Sequence, residues 1–161
     1  MKSLLILAFA TILSFGSKAQ EASTIFLVRH AEKVDQSRDP ELSLSGKARS
    51  HRLLELLEDA GIGAIYSTDY KRTRQTAAPL ADKLGLDILS YRPFEDDMVQ
   101  ELKGKYPGQN VLVVGHSNTI PDLANLLIGE ERYKQLSDDE YSTIFVVTLL
   151  ENEVAHLILR F

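Results

Sequence analysis

Five residues, Ile25-Phe26-Leu27-Val28-Arg29, restrict the fold more than any other stretch, because an apolar run breaks off in an arginine and His30 follows at once. Four apolar residues without alternation read as a strand buried on both faces. Such strands belong to parallel sheets that carry helices on either side. The run then delivers Arg29 and His30 to the carboxyl edge of the sheet, where open α/β folds bind their ligands. A guanidinium beside an imidazole suits an anion, phosphate above all.

The chain repeats this architecture further on. After Asn110, Val111 to Val114 is a second apolar run, followed by Gly115 and His116, with a helix expected from about Ile120 to Leu127 and Pro121 in its first turn. Ile62 to Ser67 reads as another short strand, leading into a helix from Tyr70 to Leu84 that opens with Lys71, Arg72 and Arg74. The free N–H groups and dipole of a helix start attract anions. Arg72 and Arg74 stand two apart and face different ways on a helix, so both cannot enter one pocket. Periodicity alone does not choose between them.

The remaining elements complete an α/β pattern. Ser43 is a fit N-cap for a helix that runs to about Ala60 and stops at Gly61. Ile88 to Tyr91 is a weak strand, and a loop from Arg92 to Asp97 leads into a helix ending before Pro107-Gly108. Thr143 to Leu150 and Val154 to Phe161 read as a hairpin turning at Glu151-Asn152-Glu153. The expected fold is a three-layer αβα sandwich, with a mostly parallel central sheet and an antiparallel edge from the C-terminal hairpin. His51, among Ser50, Arg52 and Glu55 on a helix, and His156, within the last strand, receive no role.

The first residues carry a different signal. Met1-Lys2, an apolar stretch from Leu4 to Phe15 and then Ser17-Lys18-Ala19 predict a signal peptide over residues 1–19. A single domain over residues 20–161 follows, expected to be exported to the periplasm or secreted. The apolar stretch is short for a bilayer span, so no membrane segment is expected after cleavage. A formal net charge of −5 argues against a nucleic-acid partner, and the lack of any cysteine removes disulfides and thiolate chemistry.

Two histidines and at least two arginines therefore meet at one sheet edge. As metal ligands, His30 and His116 would need Glu32 or Asp122 to complete a site. Arg29 directly beside His30 would repel the cation. In the second reading one imidazole attacks phosphorus, while the guanidiniums and the other imidazole hold the phosphoryl oxygens. Phosphoryl transfer asks mainly for positioning and charge neutralisation. This reading needs no metal and no cofactor, only a small phosphorylated substrate.

Four motifs in order now carry a resemblance. They are Leu27-Val28-Arg29-His30-Ala31-Glu32, Leu42-Ser43 with Gly46, Tyr66-Ser67-Thr68-Asp69 with Arg72-Thr73-Arg74-Gln75-Thr76-Ala77, and Val113-Val114-Gly115-His116-Ser117. The chain resembles the histidine phosphatase superfamily, also called phosphoglycerate mutase-like, in a small exported phosphatase form. The resemblance implies that His30 is the phosphorylated nucleophile and that Arg29, Arg72 and His116 bind the phosphoryl group. The family pattern Arg-(Ala/Thr)-x-Gln-Thr selects Arg72 and leaves Arg74 peripheral. It implies a phosphomonoester hydrolase, or a phosphohistidine-protein phosphatase; a non-catalytic phosphate-binding module is the reading from another class. Many members carry a glutamate beyond the third strand as general acid, and another branch places Asp after the second histidine, where this chain has Ser117. Glu95 and Glu32 are the acid candidates here, beside the absence of a dedicated acid. Asn118 and Gln36 are candidates for contact with substrate.

Overall fold

The computed structural model describes residues 22–93 and 97–161. The expected leader over residues 1–19 and the acid candidate Glu95 lie outside the described residues. In chain order the elements are β1 (Ser23–Arg29), α1 (Leu44–Leu57), β2 (Ile62–Ser67), α2 (Lys71–Leu84), β3 (Ile88–Ser90), α3 (Asp97–Gly104), β4 (Asn110–Gly115), α4 (Thr119–Ile128), β5 (Thr143–Leu149) and β6 (Val154–Arg160).

Because β1 and β4 carry unbroken apolar runs, Ile25–Val28 and Val111–Val114, they need cover on both faces, and both sit inside the sheet. The six strands run in the order β3-β2-β4-β1-β5-β6. The first four are parallel, and β5 and β6 add antiparallel pairs. Side chains alternate between two cores. Ile25, Leu27, Val111 and Val113 face α3 and α4, joining Leu102, Ile120, Leu127 and Phe145. Val28, Leu112 and Val114 face α1 and α2, joining Leu53, Leu57, Ile65 and Leu80. This is the three-layer sandwich expected from the sequence, with the hairpin as its antiparallel edge. Among the described residues no helix is long and apolar enough to cross a membrane.

The register decides where the site lies. Val28 pairs with Val114 and Arg29 with Gly115, while Ser67 also pairs with Val114. Three strands thus end level, and the His30 N–H continues the ladder by donating to the Gly115 carbonyl at 2.9 Å. Strand β5 starts at this same edge, where Ile144 pairs with Val28. The segment before it must therefore pass over the strand ends.

Several boundaries move by a residue or two from the sequence reading, and one moves by most of a turn. Helix α1 ends at Leu57 instead of near Ala60. The Glu58 N–H still bonds Leu54, but Ala60 turns back to Leu57, and Gly61 adopts φ 65° to enter β2. A close approach also explains one glycine. A Cβ on Gly46 would stand 2.2 Å from the Glu32 carbonyl oxygen, so only glycine lets the first turn of α1 press against the segment that follows His30.

Candidate active site

The carboxyl ends of β1, β2 and β4 bring Arg29, His30, Arg72 and His116 together. His30 is 4% exposed and Arg29 5%. The His30 and His116 rings meet edge to face with centroids 5.6 Å apart. His30 is held by the backbone on both sides. Its Nδ1 lies 2.8 Å from the Ala31 carbonyl, which can only accept, so Nδ1 carries the hydrogen and Nε2 a free lone pair. The Ala31 N–H in turn donates to Thr76 Oγ1, whose hydroxyl donates to the Arg72 carbonyl. Gln75 accepts from the Leu42 N–H. The Gln-Thr pair of the third motif is therefore a brace that fixes the segment after His30 against α2.

The two guanidiniums are positioned by different devices. Arg29 donates through Nη1 to the carbonyls of Ser137, Asp138 and Glu140 at 2.8, 3.2 and 3.0 Å. Its flat face lies 4.2 Å from the centroid of the Tyr141 ring. Arg72 leaves the first turn of α2, lies over Tyr70 at 4.3 Å and stands 4.0 Å from Asp39. Arg74 points away toward Asp69 and Ser90 and is exposed. The Nε atoms of Arg29 and Arg72 are both buried without a hydrogen-bond partner among the described residues. Buried donors of this kind are costly to leave unpaired. Two on guanidiniums close enough for their charges to repel suit a clamp on anionic oxygens.

Electrostatics keep both imidazoles neutral. Burial lowers His30 most, against the hydrogen bond to Ala31, and the charges of Arg29, Arg72 and His116 add to bring it down to about 3. Burial, then Arg72 and Arg29, push His116 down to about 4. The donor set does not suit a cation, since two guanidiniums flank the two imidazoles. Among the described residues no group of three or more His, Cys, Asp or Glu could hold a metal ion.

The other sequence candidates among the described residues make different contacts. Glu32 turns toward α1, where Arg49 clasps its carboxylate through Nε and Nη2 at 2.7 to 3.0 Å. Burial raises its carboxyl, but the bonds and charge of Arg49 outweigh this and hold it below the usual glutamate range. Gln36 accepts from Lys33 in an exposed pair, and Asn118 is exposed at the start of α4 without a capping bond. Tyr70, Tyr141, Thr68 and Thr73 border the site without having been singled out as site residues from the sequence. A cavity of about 420 Å³ beside it shares Thr68 and Tyr70 and continues to Arg38, Tyr91 and Arg92. A larger cleft of about 860 Å³ lies around the end of α4 and includes none of the four clamp residues.

Glu32→Gln is expected to leave turnover within about twofold, whereas loss of a working general acid typically costs about a hundredfold or more. It should lower stability by about 1–2 kcal/mol, read by thermal unfolding at neutral pH. The sign with pH follows from the lowered carboxyl. The pair's contribution is complete above the ordinary glutamate range and is lost as pH falls through the lowered value, so the difference in Tm between the two proteins should close on acidification.

The sequence profile of the histidine phosphatase superfamily (branch 1) matches residues 25–94. The chain is 33% identical over 98 residues to phosphoserine phosphatase 1 of Hydrogenobacter thermophilus, which is 52% of this chain but 46% of that relative. The matched stretch thus spans less than half of the relative's length. In fold the chain is similar to phosphoglycerate mutase from Bacillus anthracis, with a TM-score of 0.68 at 15% identity, covering 87% of this chain and 93% of that one. It is also similar to the protein histidine phosphatase SixA complexed with tungstate, with a TM-score of 0.65 at 21% identity, covering 85% and 96%.

Proposed function

The chain belongs to the histidine phosphatase superfamily, and from that premise we propose that it is a metal-independent phosphomonoester hydrolase acting through a phosphohistidine on His30. The observation that carries this reading is the pair of buried, unpartnered Nε donors on Arg29 and Arg72, set around a histidine whose Nε2 is bare. The clamp binds phosphoryl oxygens, and His30 Nε2 attacks phosphorus as the P–O bond to the leaving group breaks. Water then attacks the phosphohistidine, releasing phosphate and returning the lone pair to Nε2. The leader expected over residues 1–19 makes this an exported enzyme.

A second reading has its own support. Glu32 is occupied by Arg49, and Ser117 follows the second histidine, so neither expected acid position among the described residues offers a free carboxyl. A leaving group that needs little protonation, such as the imidazole of a protein phosphohistidine, suits such a site. For alcohols, Glu95 is the proposed acid.

A panel of a sugar phosphate, phosphoserine and a phosphohistidine protein, each with and without chelator, tests these readings. Turnover of an ester unaffected by chelator is the expected result. Turnover of the phosphohistidine protein alone establishes the second reading. Loss of activity on chelation, or tight binding of inorganic phosphate without turnover of any substrate, overturns both.

A further inference from the structure

The two histidines of the clamp are held by unlike partners. His30 rests on a carbonyl, which can only accept. His116 rests on a hydroxyl: its Nε2 lies 2.9 Å from Thr68 Oγ1, and that oxygen can give or take a hydrogen. What Thr68 does is decided one residue deeper. The Thr73 hydroxyl faces two carbonyls, those of Thr68 at 2.8 Å and Tyr70 at 2.9 Å, so its single hydrogen is committed to them. Its oxygen therefore accepts, and the hydrogen it accepts comes from Thr68 Oγ1 at 3.1 Å. Thr68 has then used its only hydrogen and can meet His116 only as an acceptor.

We propose that Thr68, backed by Thr73, is a positioning residue that locks His116 as its Nε2–H tautomer and leaves a bare Nδ1 for whatever the clamp binds. The chain of donors runs one way, from His116 to Thr68 to Thr73 to backbone carbonyl. Thr68 and Thr73 are 2% and 0% exposed, so water does not compete for these bonds. The ring faces Arg29, Arg72 and His30, with Tyr70 against it edge to face at 5.2 Å. His116 is neutral above about pH 4, so a single tautomer can be set.

The two histidines thus carry their hydrogens on opposite nitrogens, and each has one lone pair to offer. The tautomer stands on geometry alone, while its catalytic consequence rests on the phosphatase reading. A bare Nδ1 accepts. A phosphoryl group lying against it must supply the hydrogen as P–OH, or His116 must take a proton from solvent as a dianion binds. Either way the group enters with one proton shared between Nδ1 and a phosphoryl oxygen.

Long-range proton–nitrogen correlation spectra of the protein carrying 15N-histidine read the tautomer directly, with no substrate present. The chain has four histidines, and single His→Gln substitutions at His51, His116 and His156 assign the spectrum. The expected result is an Nε2–H pattern for His116 and an Nδ1–H pattern for His30 near neutral pH. Thr68→Val should abolish the single-tautomer pattern of His116, and Thr68→Ser should restore it. An Nδ1–H pattern for His116 in the unsubstituted protein overturns the proposal, even if Thr68→Val does not fold. So does a folded Thr68→Val protein with an unchanged pattern. Failure to turn over any phosphomonoester would count against the phosphatase reading and leave these spectra as they are.

Discussion

His30→Ala is expected to reduce phosphate release by at least about a thousandfold and to abolish covalent labelling of the protein by a labelled substrate. The hydrogen of the neutral His30 ring sits on Nδ1. The Ala31 carbonyl at 2.8 Å keeps it there, and burial with two nearby guanidiniums keeps the ring neutral down to about pH 3. At neutral pH the ring therefore always has a lone pair at Nε2. The other described imidazole beside Arg29 and Arg72 is His116, which is turned with its Nε2 toward Thr68 and offers only Nδ1, so the variant also tests whether that second lone pair can substitute. The variant keeps both guanidiniums, so it should still bind inorganic phosphate. Binding without turnover separates loss of the nucleophile from collapse of the site. Trapped label that is stable in alkali and lost in acid identifies phosphohistidine in the unsubstituted protein. Full turnover in His30→Ala would sink the mechanism.

Much of this site is legible in the sequence because strands buried on both faces tolerate no charge along their length. Where the apolar runs Ile25–Val28 and Val111–Val114 stop, the sheet has ended, and the next polar residues must stand at its edge. Arg29, His30 and His116 are visible for that reason. Other parts leave no such mark. The segment 137–140 contributes carbonyls to Arg29, and a carbonyl is the same on every residue. Tyr141 follows it in a stretch without periodicity, so neither its stacking on Arg29 nor its approach to His30 could be read beforehand. Thr68 and Thr73 lie within a motif that the sequence displays. Their joint role depends on a turn that folds residue 73 back under residue 68. Glu32 shows the converse error of inference. Nearness in sequence to His30 suggests an acid, but the chain turns between them, and the carboxylate belongs to α1 through Arg49.

Arg72 and Arg74 give the sharpest contrast between neighbours. Arg72→Ala is expected to lower kcat/KM by about 100- to 1000-fold, the usual loss when one preorganised donor to a developing anion is removed. Arg74→Ala should stay within about twofold, since its guanidinium is exposed, 4.0 Å from Asp69 and 3.4 Å from Ser90. Two positions on one helix turn thus differ by some two orders of magnitude because 200° of rotation separates them, roughly two residues at 3.6 per turn. Arg72→Lys keeps the charge but loses the planar fork and the stacking on Tyr70, so it should recover only part of the activity. Stability should move the other way. Burial and the nearby Arg29 charge both disfavour the charged guanidinium, with Tyr70 and Asp39 offsetting them in part. Removing Arg72 relieves that repulsion, and the Nε donor that had no partner goes with it. Arg72→Ala should therefore unfold at a temperature no lower than the unsubstituted protein while losing its activity. A variant that lost both together would show that Arg72 braces the fold, and a variant that lost neither would remove it from the clamp.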